Sequence, residues 1–364
     1  MKSKAALLVD YNAPLVIDEV DVQGPKEGEV LVRIKAAGVC HSDLHAINGQ
    51  YTHNLPLVLG HEGAGIVEDV GQGVTNVRPG DHVVLSWLPS CGKCRPCLRG
   101  RPANCEDASW PSAGTLRDGT SRFGKNGKTV FHYGATSTFS ELTVVPSQSA
   151  VPVARDAPLT ALSLIGCAVS TGVGAALNTA KLSPQDRVAV VGCGGVGLNI
   201  VQGARIAGAQ TIVAVDRSSE NLELARRLGA THLVNSEEGD VIANVQAITD
   251  GGVDFAFEAV GRRVTIALAM ALLARGGRLV LVGMASREEV LGLDVLDTVV
   301  REVGVVGCWY GSCDPQRDFP RLVDFYKSGS LKLDEMIEVR PLEDINLAFS
   351  NLAKSTGGRT VIAF

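Results

Sequence analysis

The sequence lacks the long apolar segments of a membrane or secreted protein. Its 364 residues contain no run of about eighteen uninterrupted apolar residues, which a membrane-spanning helix needs. The opening MKSKAALLVD has two lysines, but its apolar run is too short for the core of a secretory signal. We therefore expect a cytoplasmic protein that does not enter a membrane.

Concentrated positive charge is absent as well. The net charge is -5 at pH 7, and the lysines and arginines are scattered along the chain instead of forming a stripe. Proteins that bind nucleic acid or anionic membranes usually carry a basic patch. We expect neither partner here, and a small-molecule substrate fits better.

Internal repeats and low-complexity tracts are also missing, so we expect an ordered globular chain. Of its residues, 45% are hydrophobic and only 20% are charged. At 364 residues the chain exceeds what one hydrophobic core usually supports. Two domains are predicted.

Composition and hydrophobic pattern differ between two regions of the sequence. Glycine and proline are plentiful over residues 20–150, where short β-rich runs such as Glu29–Ala36 alternate with turn signals, which predicts an irregular, mainly β domain. From Ser183 on, apolar strands alternate with amphipathic helices, which predicts a doubly wound parallel sheet of six strands in an α/β fold. Its predicted strands include Arg187–Val191, Arg278–Val282 and Val303–Val306.

Nine cysteines in a reducing compartment need an explanation other than disulfides. Four of them lie in the segment CGKCRPCLRGRPANC, at Cys91, Cys94, Cys97 and Cys105. One tetrahedral ion can gather four thiolates at this spacing, which predicts a structural zinc site. A disulfide cluster and an iron–sulfur cluster are the alternatives, but Cys-x-x-Cys is tight for a disulfide and such clusters usually prefer other intervals.

A second group of metal-binding residues comes earlier in the chain. CHSDLH at 40–45 and GHE at 60–62 place cysteine, histidine and carboxylate groups close together in sequence. A catalytic zinc needs three protein ligands and one open position, and Cys plus His plus a further Cys would supply them. The spacing leaves the third ligand open among Cys167, Cys193, Cys308 and Cys313.

A dinucleotide site is indicated where the predicted strand Arg187–Val191 runs into GCGGVG at 192–197 and then into an apolar helix. The glycines permit a tight turn and close approach of the backbone to a pyrophosphate. Asp216 ends the next strand, where a carboxylate would accept hydrogen bonds from the adenosine ribose and favour NAD. The neighbouring Arg217 leaves NADP open, and a glycine-rich turn in a fold without nucleotide is the other alternative.

These motifs together resemble those of a known family. GVCHSDLH, LGHEGAGIVEDVG, PGDHV, the four-cysteine segment, GCAVSTGVGAALNTAKL and VVGCGGVG are similar to the zinc-dependent medium-chain alcohol dehydrogenases, and most similar to the group with the liver-type and class III enzymes. The likeness covers essentially the whole chain. It implies a GroES-like catalytic domain of residues 1–168 and 309–364, with a Rossmann domain of residues 169–308 inserted between them.

The resemblance assigns roles around two zinc ions per subunit. It implies that Cys40, His61 and Cys167 hold the catalytic zinc, and that the four clustered cysteines hold a structural one. Glu62 would lie behind the catalytic zinc as a transient ligand. Asp43 would accept the free ring N–H of His61, although a turn-capping carboxylate is the alternative. The zinc would stabilise the alkoxide of the substrate, and the proton would leave through Ser42, the nicotinamide ribose and His45.

On the cofactor side, the resemblance implies that Thr171 and Val196 face the nicotinamide and that Asp216 binds the adenosine ribose. His41, which stands where many relatives have arginine, and Arg359 would lie near the pyrophosphate. The complete predicted NAD site is His41, Thr171, Gly192, Gly194, Gly195, Val196, Gly197, Asp216, Arg217 and Arg359.

The substrate pocket departs from the pattern of glutathione-dependent relatives. Those carry an arginine shortly after the fourth structural cysteine, and the corresponding position here is Ser109, which disfavours a glutathione adduct. Trp87, Leu88 and Tyr133 are predicted to line the pocket, and the wide indole of Trp87 would narrow it, unless that side chain turns into the core.

The sequence therefore predicts an oxidoreductase that transfers hydride between NAD(H) and a primary alcohol or aldehyde. A thiol-adduct or other specialised alcohol is the alternative substrate, and a zinc-stabilised NADH-binding sensor without turnover is the alternative outside enzymology. The long segment from Ser109 to Ala135 resembles that of dimeric relatives, so a homodimer is favoured over a homotetramer.

Overall fold

The structure is a computed structural model that describes residues 1–353 and 358–364. The chain divides into two compact units. The first unit comprises Met1–Cys167 together with 314–353 and Arg359–Phe364, and the second comprises Ala168–Cys313.

The first unit is mainly β. Up to Cys167 its strands are β1 (Lys2–Leu8), β2 (Val16–Val22), β3 (Glu29–Gly38), β4 (Leu57–Val58), β5 (Glu62–Val70), β6 (His82–Leu85), β7 (Phe123–Lys125), β8 (Lys128–His132), β9 (Leu142–Pro146) and β10 (Ala150–Val153). Its helices there are α1 (His41–Ile47), α2 (Arg95–Leu98) and α3 (Leu159–Leu162). Four 3₁₀ turns accompany them, at Pro102–Asn104, Trp110–Ala113, Ser147–Ser149 and Ser163–Gly166.

The second unit alternates helix and strand. Its elements in chain order are α4 (Ala168–Gly174), a π-helical turn at Ala175–Ala180, β11 (Arg187–Val191), α5 (Gly195–Ala207), β12 (Thr211–Asp216), α6 (Ser219–Leu228), β13 (His232–Asn235), α7 (Val241–Thr249), β14 (Val253–Glu258), α8 (Arg263–Ala271), β15 (Leu273–Leu281), α9 (Val295–Arg301), β16 (Gly304–Gly307) and a 3₁₀ turn at Tyr310–Ser312. The first unit then resumes with α10 (Pro315–Lys327), a turn at Asp334–Met336, β17 (Ile337–Pro341), a turn at Leu342–Asp344, α11 (Ile345–Ala353) and β18 (Arg359–Ala363).

The first unit contains a closed barrel and a seven-stranded sheet. The barrel has the order β1-β2-β7-β8-β4, and the sheet has the order β10-β6-β5-β3-β18-β17 with β9 also paired to β3. Most residues of β3 are buried, because the strand pairs with β5, β9 and β18. Gly38 at the end of β3 lies opposite Glu62 at the start of β5. This register brings the residues after Gly38 next to those before Glu62.

The long segment between Ser109 and Ala135 is tied to β3 by a buried ion pair. The Arg122 guanidinium is fully buried and binds the Glu29 carboxylate through both Nε (2.8 Å) and Nη2 (2.5 Å). Asp118 accepts a further hydrogen bond from Nη2 at 2.9 Å. A bidentate arginine–carboxylate pair fixes both groups geometrically, so it fastens this segment to the sheet.

The second unit is a doubly wound parallel sheet in the order β13-β12-β11-β14-β15-β16. The strand order reverses between β11 and β14, and such a reversal is where nucleotides bind in open α/β sheets. Helix α6 shows the local signals well: the Ser218 hydroxyl caps its first turn, and Gly229 follows its last residue. The predicted α/β fold class is confirmed.

Three predicted strands have different bounds in the structure. The strand predicted over Glu29–Ala36 continues to Gly38, and the one predicted over Arg278–Val282 begins at Leu273 and ends at Leu281. The last strand is Gly304–Gly307 instead of Val303–Val306. Val303 does not extend this strand, because its N–H donates to the Thr298 carbonyl and closes the end of α9.

The unit boundaries also differ from the expected domain limits. Ala168 begins α4 and so falls in the second unit, as do residues 309–313, which we expected in the first. The turn Tyr310–Ser312 packs on α4 closely: a Cβ on Gly174 would lie 2.4 Å from the Gly311 carbonyl oxygen. This packing keeps the turn with the second unit.

Within the described residues, no single helix has the length and apolar composition of a membrane span. One pair of helical segments with a bend between them, Leu159–Gly166 and Ala168–Ala180, has this length and composition only when the two segments are taken together.

Candidate active site

The four clustered cysteines form a compact thiol site in one loop. Cys94 precedes α2, and the Sγ atoms of Cys91, Cys94, Cys97 and Cys105 lie within 4.8 Å of one another, all unbridged and half-buried. Backbone N–H groups already point at the sulfurs: Cys91 N–H donates to Cys105 Sγ and Cys94 N–H to Cys91 Sγ, both at 3.3 Å. The N–H groups of Lys93 and Cys94 lower the pKa of Cys91 to about 7. Such a set of four thiolates fits a closed tetrahedral zinc site.

A second cluster is assembled from distant parts of the chain. Cys40 directly precedes α1, His61 directly precedes β5, and Cys167 follows the turn Ser163–Gly166. Their ligand atoms and a Glu62 carboxylate oxygen lie within 4.8 Å of one another. Among the described residues, Cys167 is therefore the cysteine that joins Cys40 and His61. The other three candidates, Cys193, Cys308 and Cys313, are buried in the second unit.

Asp43 holds this second cluster together. Its carboxylate is fully buried: Oδ1 lies 3.0 Å from His61 Nδ1 and accepts the Gly60 N–H at 3.2 Å, while Oδ2 accepts the Cys40 N–H at 3.2 Å. Burial alone would lower the pKa of His61, but the Asp43 carboxylate and the Cys40 thiolate outweigh it and raise that pKa. With Nδ1 bound to Asp43, the other ring nitrogen of His61 is left for a metal.

Glu62 and Arg359 form a buried, imperfectly aligned pair beside the cluster. Arg359 Nη2 lies 3.4 Å from Glu62 Oε1 and 3.9 Å from Cys40 Sγ, and Nη1 donates to the Val39 carbonyl at 2.8 Å. Neither Glu62 oxygen makes a hydrogen bond, and burial raises the pKa of Glu62 to about 8 despite the arginine. We expected Arg359 near the pyrophosphate. The structure places its guanidinium next to Cys40 and Glu62, and the sequence did not indicate this position.

The arrangement fits a zinc ion well. Two sulfurs and an imidazole nitrogen are the donor set of a catalytic zinc, and Glu62, whose oxygens accept no hydrogen bond, adds a carboxylate donor on one side. The pKa of the Cys40 thiol is lowered, first by the hydrogen bond from Cys167 and then by Arg359 and His61, so that Cys40 is set up as a thiolate ligand. Three protein ligands leave a coordination position open for a substrate.

The two predicted relay residues lie on α1, next to this cluster. Ser42 is in the first turn, and its carbonyl accepts a hydrogen bond from the Tyr133 hydroxyl at 3.1 Å. His45 lies one turn further, half-buried, with its ring edge-on to Tyr51 and its Nδ1 atom without a partner. His41, at the start of the helix, is exposed.

The glycine-rich turn of the second unit has the shape that a pyrophosphate needs. Gly192 has φ +92°, and a Cβ on Gly197 would lie 1.8 Å from the Gly192 carbonyl oxygen, so both positions require glycine. A Cβ on Gly194 would meet no atom within 4 Å, so this side of the turn is open. Helix α5 starts at Gly195 without a side-chain cap, which leaves its first N–H groups available for phosphate oxygens.

Asp216 and Arg217 follow at the end of β12. Asp216 Oδ2 accepts the Cys193 N–H at 2.6 Å, and Oδ1 accepts the Ser218 N–H at 2.8 Å and the Asn221 amide at 3.3 Å. Arg217 points into solvent. The carboxylate is thus fixed beside the glycine-rich turn, where a ribose would lie.

Gly172, the residue after Thr171, packs closely on Val196, which is distant from it in sequence. A Cβ on Gly172 would lie 2.5 Å from the Val196 carbonyl oxygen, so α4 and the start of α5 meet closely. This packing brings the backbone next to Thr171 close to that of Val196, the other residue predicted to face the nicotinamide.

Comparisons with known proteins match both units. Residues 26–155 match the profile of the alcohol dehydrogenase GroES-like domain, and residues 195–328 match that of the zinc-binding dehydrogenase. The chain is 38% identical to alcohol dehydrogenase class-3 of Cereibacter sphaeroides, covering 100% of both proteins. The chain belongs to the zinc-dependent medium-chain alcohol dehydrogenase family.

Two further members of the family differ in their named substrates. The S-(hydroxymethyl)glutathione dehydrogenase of Paracoccus denitrificans is 36% identical over 100% of both proteins. The crystal structure of benzyl alcohol dehydrogenase from Acinetobacter calcoaceticus is 33% identical, with a TM-score of 0.95 over 100% of this chain and 99% of that one.

The predicted pocket residues of this family member lie near the second cluster. Trp87 is half-buried and Leu88 is buried. A Cβ on Gly134 would lie 3.4 Å from the Trp87 Cβ and 3.9 Å from the His61 Cβ, so Trp87, His61 and the turn after Tyr133 adjoin one another. Gly134 could not be predicted as part of the pocket, because a glycine beside an aromatic residue has no distinctive sequence pattern.

Arg117 is a cation in the region after Ser109 that no sequence motif indicated. The Arg117 guanidinium lies 5.8 Å from the ring centroid of Trp110 and is paired with Asp107 at 2.6 Å. Asp107 neutralises this arginine, which stands eight positions after Ser109.

Proposed function

We propose that the chain is an NAD-dependent alcohol dehydrogenase that interconverts primary alcohols and aldehydes. The buried Cys40, His61 and Cys167 cluster carries this proposal, because it offers zinc three ligands and keeps one coordination position for the alcohol oxygen. When bound, zinc would act as a Lewis acid toward the alcohol oxygen, and NAD would accept the hydride. The four-cysteine loop would hold a second, structural zinc.

The protein residues supply orientation and a path for the proton. Asp43 fixes the ring of His61 through the 3.0 Å contact. The Ser42 hydroxyl would take the alcohol proton. His45, whose Nδ1 atom has no partner and which reaches the protein surface, would release it to solvent. Glu62 would serve as an additional ligand when substrate and product exchange.

The second unit would bind NAD in preference to NADP. Asp216 is held by three donors, and a carboxylate fixed in this way accepts ribose hydroxyl groups but repels a 2'-phosphate. His41 and Arg217 are exposed and free to approach phosphates. We keep Thr171 and Val196 as the proposed nicotinamide contacts.

Two observations support a primary, aromatic alcohol as substrate. Trp87 and Tyr133 lie next to His61 of the cluster formed by Cys40, His61 and Cys167. Flat aromatic side chains around this site favour a flat substrate ring over a bulky secondary alcohol. The similar benzyl alcohol dehydrogenase acts on such a compound by name. The glutathione-adduct reaction is the second candidate, because relatives at 36–38% identity bear that name or the class-3 name, but Ser109 provides no cation for its carboxylates.

The reaction is tested by initial rates at 340 nm with NAD and NADP. The alcohols are benzyl alcohol, ethanol, a secondary alcohol and S-(hydroxymethyl)glutathione. We expect chelator-sensitive reduction of NAD, fastest with benzyl alcohol. Fastest turnover with S-(hydroxymethyl)glutathione would favour the second candidate. No turnover in either direction by the folded, zinc-replete protein would refute the proposed dehydrogenase activity. The hypothesis of an NADH-binding sensor without turnover would then be favoured.

The width of the pocket is tested by Trp87→Ala. Removing the indole should raise the rate with secondary alcohols relative to primary ones, because the space beside the zinc cluster widens. An unchanged ratio of the two rates would show that Trp87 does not limit the pocket.

We propose a homodimer formed through the edge of the second unit's sheet. Among the described strands, β16 pairs only with β15, and its Val305 is exposed. The nearby helix α9 exposes four apolar side chains, with Leu296 at 74%. Leu296→Asp should shift the mass measured by light scattering from dimer to monomer, whereas Leu347→Asp, at an exposed position of the first unit, should not.

None of the nine cysteines, all of which lie in the described residues, is in a disulfide, and this supports the proposal that the protein acts in the reducing cytoplasm.

A further inference from the structure

The backbone of Tyr133 is held in an unusual turn directly after β8. Its N–H donates to the Ser137 hydroxyl at 2.9 Å, and its carbonyl accepts the N–H groups of Thr136 and Ser137, both at 3.1 Å. Gly134, Ala135 and Ser137 have φ values of +55°, +56° and +48°. Left-handed backbone at non-glycine residues costs free energy and persists only where its surroundings impose it. The turn therefore fixes where the Tyr133 side chain begins.

The Tyr133 side chain reaches two separate parts of the proposed reaction site. Its hydroxyl donates to the Ser42 carbonyl at 3.1 Å, in the first turn of α1. Its ring lies edge-on to the His61 ring, with centroids 5.7 Å apart and an angle of 67°. On the other side it meets the His53 ring at 5.2 Å. Ser42 and His61 come from different elements, and Tyr133 touches both.

We propose that Tyr133 is a positioning residue that sets the distance between the zinc ligand His61 and the proton-relay residue Ser42. This inference rests on the proposed function. The alcohol oxygen must be reached by the metal and by the Ser42 hydroxyl at once, so both groups need a fixed relative position. A misplacement of about 1 Å can reduce a rate by about two orders of magnitude. The existing Asp43–His61 contact fixes the imidazole, and Tyr133 adds the link to the start of α1.

Tyr133→Phe isolates this role, because it keeps the ring against His61 and removes only the hydrogen bond to Ser42. Tyr11→Phe is a matched control. The Tyr11 hydroxyl also holds backbone, donating to the His53 carbonyl at 2.8 Å and accepting the His53 N–H at 2.6 Å, but its hydrogen bonds within the described residues include neither Ser42 nor His61.

We expect Tyr133→Phe to lower kcat for benzyl alcohol about fivefold, which corresponds to a typical net hydrogen bond. The KM for NAD and the zinc content should not change. The primary isotope effect with dideuterated benzyl alcohol should rise as hydride transfer becomes slower. Tyr11→Phe should leave all four quantities at the wild-type values.

A second readout does not need turnover. With cobalt(II) in place of zinc at the Cys40 site, the visible bands should shift in Tyr133→Phe and stay in place in Tyr11→Phe, because the position of His61 reports on the ligand geometry. Unchanged kcat with an unchanged cobalt spectrum would overturn the proposal, and so would equal effects of the two variants. If the wild type shows no alcohol turnover, the proposed function fails and the cobalt spectrum alone decides on Tyr133.

Discussion

The two cysteine clusters of the first unit are built in opposite ways. Cys91, Cys94, Cys97 and Cys105 come from one loop, are half-buried, and offer four thiol groups. Cys40, His61 and Cys167 come from three distant elements, with Cys40 and His61 buried, and adjoin a carboxylate that has no hydrogen-bond partner. One set of donors can close around an ion completely, and the other keeps a position open.

This difference suits the four-cysteine loop to stabilising the fold and the cluster of Cys40, His61 and Cys167 to chemistry. A loop that supplies all four ligands would gain its order from a bound metal, so a metal there would be part of folding. The buried cluster is ordered by the sheet register of Gly38 with Glu62 and by the hydrogen bonds of Asp43. Removal of a ligand should therefore damage activity at one site and stability at the other.

The largest effect is expected for Cys167→Ser. Losing one of three ligands should remove the zinc of the buried cluster and lower kcat/KM by on the order of 10³-fold, because the Lewis acid contributes several kcal/mol. Zinc content by elemental analysis and initial rates would measure this. Cys308→Ser is the control, because a serine can keep the hydrogen bond from Thr179. Full activity in Cys167→Ser would show that the cysteine is not a ligand.

Cys97→Ser should act mainly on stability. Without its metal, the loop of residues 91–105 is no longer closed, which costs about 3 kcal/mol for a loop of about 15 residues. Thermal unfolding with and without chelator would show a lower Tm for the variant and little further effect of the chelator. Leu98→Ser, at a 75% exposed position of the same loop, should behave like the wild type. An unchanged Tm in Cys97→Ser would argue against a structural metal.

Gly38→Ala would disturb the buried cluster without removing a ligand. A Cβ at this position would lie 2.2 Å from Glu62 Oε2 and 2.7 Å from Leu164 Cδ2, so the Glu62 carboxylate must move. We expect a loss of about 2 kcal/mol in the free energy of unfolding, as for other overpacked sites, together with reduced kcat. Gly24→Ala is the control, since its Cβ would meet no atom within 4 Å. Equal stability of the two variants in urea would contradict the contact.

At neutral pH the smallest effect is expected for a group outside both clusters, which acts on acid stability. Burial, followed by Arg122, lowers the pKa of His132 to about 3. The unfolded chain takes up this proton below pH 6.5 and the folded protein does not, so stability is complete above pH 6.5 and falls as the pH is lowered, by about 1.4 kcal/mol per unit. His132→Asn should be less stable at pH 7 but should lose less stability between pH 6.5 and 4.5 in urea titrations. A parallel decline in both proteins would assign the acid sensitivity to groups other than His132.

Several features could be predicted from local sequence. The four-cysteine loop, the glycine-rich turn and most strands of the second unit are contiguous patterns, and Arg187–Val191 has the predicted bounds. Strand ends were less predictable. Val303 looks like strand, but the end of α9 takes its N–H group, and the sequence does not show this competition.

The composition of the buried cluster could be predicted only in part. Cys40 and His61 stand in recognisable motifs, but spacing left four cysteines as possible third ligands. The family resemblance indicated Cys167, and the tertiary structure brings that sulfur within 4.8 Å of the others. The position of Arg359, the space at Gly38 and the hydrogen bond from Tyr133 to Ser42 had no sequence signal, because each depends on residues far apart in the chain.

The sequence by itself determined the division into a mainly β and an α/β region, the thiol-rich loop, the nucleotide-binding turn and the family. These features depend on residues close together in the chain. Only the tertiary structure decided what surrounds Glu62 and how Tyr133 joins Ser42 to His61. Such contacts are set by sheet register and packing, which bring distant residues together, and no local pattern specifies them.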